Sequence, residues 1–402
     1  MEKFVLNNGL TVVFDRMPTD SVALNLSVRV GSNNEEDGSE GISHFLEHML
    51  FEGTKKRRST KAIANEIERL GGKLNAGTLN DHTLVYVKVP RKYFTVSLDV
   101  LSDITENSTF PEKGVRNNRK VILDEINMVN DEPLFYQWVL FYRELFKNTP
   151  VGKPLGGNAE SVKKITQDAL LEHYRRHYSP SNMVLGVTGG LNKEDLKQIE
   201  RYFTLKRRHK IDNAIKVPRK IKNKRVVEKR DISQSYMILG YRTVPLLHED
   251  SYALDVIEAV LGRGQSGWMP DEVRNKKALA YNVDVENSSN LDYGLFAVNV
   301  CTKKKNVNKV VDIITKNFRR LQNLKKKELD EAKSHIEGNR ILEWEEPLKR
   351  AESVCFYEHA GDFKAAGEYI SRIKAVTLDD VKRVAEEYLT EDYTLTLLEE
   401  NS

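Results

Sequence analysis

Cysteine is nearly absent from this chain: its 402 residues contain two, Cys301 and Cys355. Two thiols make no disulfide framework, and neither has a second Cys at metal-ligand spacing, so a stapled secreted scaffold and a sulfur-held metal are both excluded. No stretch approaches the roughly 18 apolar residues that span a bilayer, so no membrane partner is expected. The segment from Met1 to Asp15 lacks the basic-then-apolar layout of a signal peptide. It alternates around an Asn7-Asn8-Gly9 turn, which reads as foldable strand and gives a cytoplasmic expectation. Charge of one sign is also scarce, because 63 Lys and Arg oppose 59 Asp and Glu, and the net +4 implies no general nucleic-acid role. The basic run from Lys206 to Arg230 has none of the interleaved aromatics that stack on bases, so it reads as a solvated linker.

What is present is an ordinary folding composition, 40% hydrophobic and 30% charged, in a chain long enough for two cores of about 200 residues. A weak repeat supports that division. Thr166-Gln167-Asp168 opens a segment leading to the strand Met183-Val184-Leu185, and Thr377-Leu378-Asp379 opens one leading to Tyr393-Thr394-Leu395. Each Thr stands where a helix N-cap belongs, and the offset, 377 − 166 = 211, is close to half the chain. Two homologous α+β domains follow, 1–205 and 226–402, joined by a basic linker at 206–225. Leu10 to Phe14, Ala23 to Val30 and Leu84 to Val89 alternate like half-buried strands. Ile42 to Phe51, Thr60 to Leu70, Val115 to Val129 and Pro133 to Phe146 read as helices. The second half repeats the plan: strands at Tyr236 to Tyr241 and within Tyr281 to Val300, helices at Ser251 to Leu261 and Val307 to Leu321.

The chemistry lies in His44-Phe45-Leu46-Glu47-His48. On a helix, positions i, i+3 and i+4 share one face, so two imidazoles one turn apart can hold one tetrahedral zinc with Glu47 beside the metal-bound water. This is the inverted H-x-x-E-H order. The bland alternative, a hydrogen-bonded cluster that binds nothing, stays open on five letters alone. His173 and His177 share the spacing but lack the acid, and read as structural. A third ligand must come from elsewhere. Glu125 is the best candidate, on a helix whose apolar face is read as Val121, Ile122, Ile126 and Val129; an acid bordering that face turns towards the core and needs a cation there. A partly exposed helix acid fits the same letters equally well.

These residues resemble the pitrilysin/insulinase family, closest to its shorter bacterial-type members related to mitochondrial processing peptidase. Gly41 to Thr54 is similar to the family's signature helix and following turn. Gly71 to Thr78 is similar to its substrate-lining strand, and Glu125-Ile126 with Asp131 and Pro133 to the segment of its third zinc ligand, at 125 − 48 = 77. Arg274 and Tyr281, seven apart, look like its substrate- and oxyanion-holding pair. The resemblance implies a zinc endopeptidase acting on peptides or unfolded polypeptides inside a clamshell chamber. Glu47 is then the general base, a zinc-bound water the nucleophile, and Asn75 and Ala76 the strand that pairs with substrate. It further implies a homodimer, with a heterodimer possible, or a non-catalytic subunit of the same family. Two departures stand out. Asn118 replaces an acid often found seven residues before the glutamate ligand, and Ser266 to Pro270 differs from the usual stretch before the Arg/Tyr helix.

Overall fold

The computed structural model describes residues 1–207 and 211–401; residues 208–210 of the basic linker lie outside them. The first sheet has six strands, β1 (Glu2–Val5), β2 (Thr11–Arg16), β3 (Ser21–Val28), β4 (Lys73–Thr78), β5 (Thr83–Pro90) and β6 (Met183–Gly189). Their order is β1-β2-β6-β3-β5-β4, antiparallel except for the β2/β6 pair. The second sheet holds β7 (Lys224–Arg230), β8 (Ser235–Thr243), β9 (Ala280–Ser289), β10 (Gly294–Thr302) and β11 (Thr394–Glu400), in the order β7-β11-β8-β10-β9. That order reproduces β2-β6-β3-β5-β4, again with one parallel pair, β7/β11. The fold is therefore α+β with two homologous halves, and the duplication shows in strand order.

Helices in the first half are α1 (Ile42–Leu50), α2 (Thr60–Glu68), α3 (Phe94–Glu106), α4 (Glu112–Asp131), α5 (Pro133–Leu145), α6 (Ala159–Lys164), α7 (Gln167–His177), α8 (Lys193–Leu196) and α9 (Ile199–Tyr202). The second half adds α10 (Asp250–Gly262), α11 (Val307–Arg320), α12 (Lys326–Glu343), α13 (Pro347–His359), α14 (Ala365–Ala375) and α15 (Leu378–Tyr388). The two threonines of the repeat cap α7 and α15. Thr166 accepts from the Ala169 N–H, and Thr377 from that of Asp380.

Two compact units emerge. One gathers Met1–Asn127, Lys153–Ala214 and Glu343–Ala366; the other gathers Met128–Gly152, Ile215–Leu342 and the chain from Gly367 onward. Spatial units and chain order thus differ by two exchanged segments. Helix α5, from the first half, packs on β8 and β11, while α13, from the second, packs on β3 and β6. Both begin with Glu-Pro-Leu, at 132 and 346. Each Glu caps the Leu N–H two residues on, and each Pro takes the first helical position, where no N–H is needed. Strand glycines make room for both. A Cβ on Gly186 of β6 would come 2.5 Å from the Ala351 carbonyl oxygen and 2.7 Å from Cys355 Sγ, and one on Gly240 of β8 would come 2.6 Å from Phe141 Cζ. Covered in this way, β3 and β6 are buried nearly throughout, whereas β5 alternates: Val85, Val87 and Val89 inward, their neighbours half-buried.

Candidate metal centre

Helix α1 is fixed in rotation by Phe45, Leu46, Met49 and Leu50, all fully buried. At roughly 1.5–3 kcal/mol for each side chain, turning them outward is prohibitive. His44, Glu47 and His48 are left on the remaining, partly exposed face. The helix start has no side-chain cap of its own, because its N-cap is Gly41, held at φ 91°. Glu35 serves instead: its carboxylate accepts from the Gly41 N–H (2.7 Å) and the Ser43 N–H (2.8 Å). Burial pushes Glu35 up to about 8 against the pull of those two bonds. This cap was not foreseen from sequence, since Glu35 lies six residues before Gly41, outside the usual capping-box spacing.

Helix α4 brings Glu125 to the same place. Its buried positions are Gly114, Val115, Asn118 and Ile122. Val121, expected on the apolar face, is 47% exposed. At about 100° per residue it falls on the solvent side of Glu125, and Asn118 fills the inner row instead. The Asn118 amide donates to Glu52 Oε1 (2.7 Å) and to the Gly114 carbonyl (3.1 Å). The acid more usual at this position would set one carboxylate against another.

The donor atoms converge. Nε2 of His44 and Nε2 of His48 are 3.3 Å apart, and Glu125 Oε2 is 3.6 Å from each. The rings meet edge to face at 87°. Bonds of about 2.0–2.1 Å around a tetrahedral ion separate its ligand atoms by roughly 3.3–3.4 Å, so this triangle fits zinc. Burial, then the neighbouring His48, lowers His44 to about 4, so its imidazole is neutral at pH 7, the form that ligates metal. The donor set, two imidazoles and one carboxylate, suits zinc chemically as well. His44 Nδ1 has no hydrogen-bond partner among the described residues. Its ring is flanked by the backbone at Gly156, where a Cβ would come within 3.6 Å of that atom. Among the described residues this is the one group of three potential metal-holding side chains. The pair His173 and His177 forms no second group; both are buried, and His173 Nε2 lies 3.2 Å from Ser43 Oγ, bracing α7 against α1.

Glu47 accepts a hydrogen bond from Thr78 Oγ1 at 3.0 Å, a contact the sequence reading did not single out. Burial raises the Glu47 carboxyl above its ordinary value, opposed by the Thr78 bond and by His48. Asn75 and Ala76 lie on β4, the edge strand of the first sheet, and the Ala76 N–H bonds Asn75 Oδ1 at 3.0 Å. In the other unit, Arg274 belongs to a π-helical segment, Pro270–Lys276, and its guanidinium carbon sits 4.7 Å from the Tyr281 ring centre. Tyr281 is 80% exposed at the start of β9.

Fold and site together define a duplicated α+β protein carrying one inverted His-x-x-Glu-His donor set. The chain belongs to the insulinase (peptidase M16) family. The family model "Insulinase (Peptidase family M16)" matches residues 11–159, and "Peptidase M16 inactive domain" matches residues 164–336. All three donors and Glu47 fall inside the first range. An uncharacterized zinc protease of Bacillus subtilis is 29% identical over 99% of this chain and 98% of its own. One of Rickettsia bellii is 31% identical over 91% and 88%. The crystal structure of a protease from Helicobacter pylori superposes with a TM-score of 0.93 at 23% identity, over 99% of both chains. No helix among the described residues is long and apolar enough to cross a membrane.

Proposed function

We propose that the protein is a zinc-dependent endopeptidase hydrolysing peptides or unfolded polypeptide segments. The observation that carries this is the convergence of His44, His48 and Glu125 donor atoms, 3.3–3.6 Å apart, with Glu47 on the same helix face. Bound zinc supplies Lewis acidity, lowering the pKa of water and polarising a peptide carbonyl. Glu47 takes the proton from the attacking water and passes it to the leaving amine; its half-buried setting favours proton uptake. An extended substrate adds to the edge of β4, and its main chain takes over the bond that Asn75 Oδ1 makes with the Ala76 N–H. Such pairing reads extension more than side chains, which favours unfolded segments. Arg274 holds substrate, and Tyr281 donates to the developing oxyanion; exposure of the Tyr281 ring is compatible with donation within a homodimer or to a different partner chain.

The test is Glu47→Gln. It is expected to abolish cleavage of a quenched peptide while zinc stays bound at full stoichiometry; retained turnover overturns the assignment of the base. The competing reading is a non-catalytic subunit of the same family. Wild-type protein that binds zinc yet cleaves no peptide would establish that reading.

A further inference from the structure

We infer that Thr78 is a positioning residue for Glu47, fixing the carboxylate that the proposed function uses as its base; the inference rests on that reading. Thr78 closes β4, and its hydroxyl donates to Glu47 Oε2 at 3.0 Å. A glutamate on an open helix face samples several rotamers, and this bond selects one.

Both ends of the bond are tied to one stretch of chain, Val30 to Glu35. On the Thr78 side, the turn after β4 donates and accepts repeatedly against it. The Ser32 N–H bonds the Leu79 carbonyl (3.2 Å), the Asn33 N–H bonds the Asn80 carbonyl (2.7 Å), and Asn80 Nδ2 bonds Ser32 Oγ (3.1 Å). Thr83, paired with Thr78 across the hairpin, donates its hydroxyl to the Val30 carbonyl at 2.8 Å. On the Glu47 side, Ser43 Oγ donates to the Gly31 carbonyl (3.2 Å), and Glu35 caps the start of α1. Gly31 permits this clamp, since a Cβ there would lie 2.2 Å from the Leu79 oxygen. Donor and acceptor are therefore held to a common reference, and none of these bonds uses a metal-donor side chain. Thr is stiff about χ1, so the hydroxyl is aimed as well as present. The residue that terminates the proposed substrate strand is also the one that aims the base, so a peptide paired along β4 is placed in register with Glu47.

The test compares zinc-loaded wild type with Thr78→Val, which keeps the shape and β-branching but not the hydroxyl, and with Thr78→Ser. Crystal structures of all three are expected to show the Glu47 carboxylate displaced in the valine variant and restored in the serine variant. Kinetically, Thr78→Val is expected to lower kcat about ten- to a hundredfold, the loss of one hydrogen bond to a charged group, with KM and zinc affinity within about twofold of wild type. Thr78→Ser is expected to recover most of the rate. A carboxylate unmoved in the valine variant, a kcat within about twofold of wild type, or loss of zinc would each overturn the inference. Thr78→Ala gives the same comparison if valine unsettles the strand. Should wild type cleave nothing, the peptidase reading fails, while the crystal structures still decide whether Thr78 positions Glu47.

Discussion

Gly186→Ala tests whether α13 is locked onto the first sheet. The new Cβ would sit 2.5 Å from the Ala351 carbonyl oxygen and 2.7 Å from Cys355 Sγ, so α13 must retreat by several tenths of an ångström. It has little freedom to do so. Arg350 Nε bonds the buried Asp15 at 2.7 Å, the Arg29 guanidinium bonds the His359 carbonyl at 2.8 Å, and His359 Nε2 lies 3.0 Å from Ser27 Oγ. Overpacking of this kind costs about 1–3 kcal/mol. The favourable exchange of a strand glycine for alanine offsets up to roughly 1 kcal/mol of it. A central net loss of about 1–2 kcal/mol, at roughly 2–4 °C of Tm per kcal/mol for a unit of about 210 residues, gives an expected calorimetric fall of about 2–8 °C. Amide exchange should rise first in Pro347–His359. Adding Cys355→Ala removes only one of the two clashes and is expected to restore only part of the loss. An unchanged or raised Tm, with α13 protection intact, would refute this account of its docking.

Other outcomes follow from the same contacts. Arg57, 2% exposed, binds Asp103 (2.7 Å), Asp99 (2.6 Å) and Glu66 (2.7 Å); Arg57→Met strands those acids and is expected to cost about 3–5 kcal/mol in urea unfolding, a loss under about 1 kcal/mol contradicting it. Burial, then His82 and Arg29, lowers His359 to about 3, so the fold holds it neutral. Its contribution is full above the unfolded value of about 6.5 and is lost as pH falls, by up to ~1.4 kcal/mol per pH unit. The stability difference between wild type and His359→Asn should therefore shrink by about 2 kcal/mol from pH 6.5 to 5, and a constant difference would exclude the buried neutral imidazole as its source. Asn118→Glu sets a second carboxylate against Glu52 and is expected to cost about 1–3 kcal/mol at pH 7, regained on acidification; equal stability at both pH values would show that the two acids do not meet.

Much of this was legible in the chain. Strong periodicity located α1, α4, α5, β5 and β8 within a few residues, and the Thr caps exposed the duplication, because capping is local chemistry that a sequence carries on its face. The candidate donors on α1 were legible for the same reason, since i, i+3 and i+4 need only a helix. Other features depend on contacts between distant segments. The Glu-Pro-Leu repeat, 346 − 132 = 214, marks α5 and α13 as equivalent helix starts, but which sheet each covers has no local signal; the room made by Gly186 and Gly240 lies far away in sequence. Thr78, Glu35 and Gly31 act across hairpins and loops, where no periodic signal exists. Val121 was misread because an apolar residue bordering a buried face has no mark of its own to distinguish it from one inside.

The duplication makes a sharper point about where metal can bind. Helix α10 follows β8 as α1 follows β3, yet it offers no ring nitrogens. Beyond its first turn, its polar positions are Asp255 and Glu258, and the first is tied to Asn287 and to Tyr369, each at 2.8 Å. Desolvation raises these acids to about 6 and about 8, which works against the ionised form that would bind metal, most strongly at Glu258. At the 214-residue offset, Glu125 corresponds to Asn339, whose amide lies 3.0 Å from His335 Nε2. Among the described residues the second half thus keeps the frame while the candidate donor set stays in the first. The chain should consequently bind one zinc, and Glu125→Gln or His48→Ala should abolish high-affinity binding outright rather than halve it. Two equivalents of tightly held zinc in wild type, or one surviving in His48→Ala, would mean that a metal site exists outside this triangle.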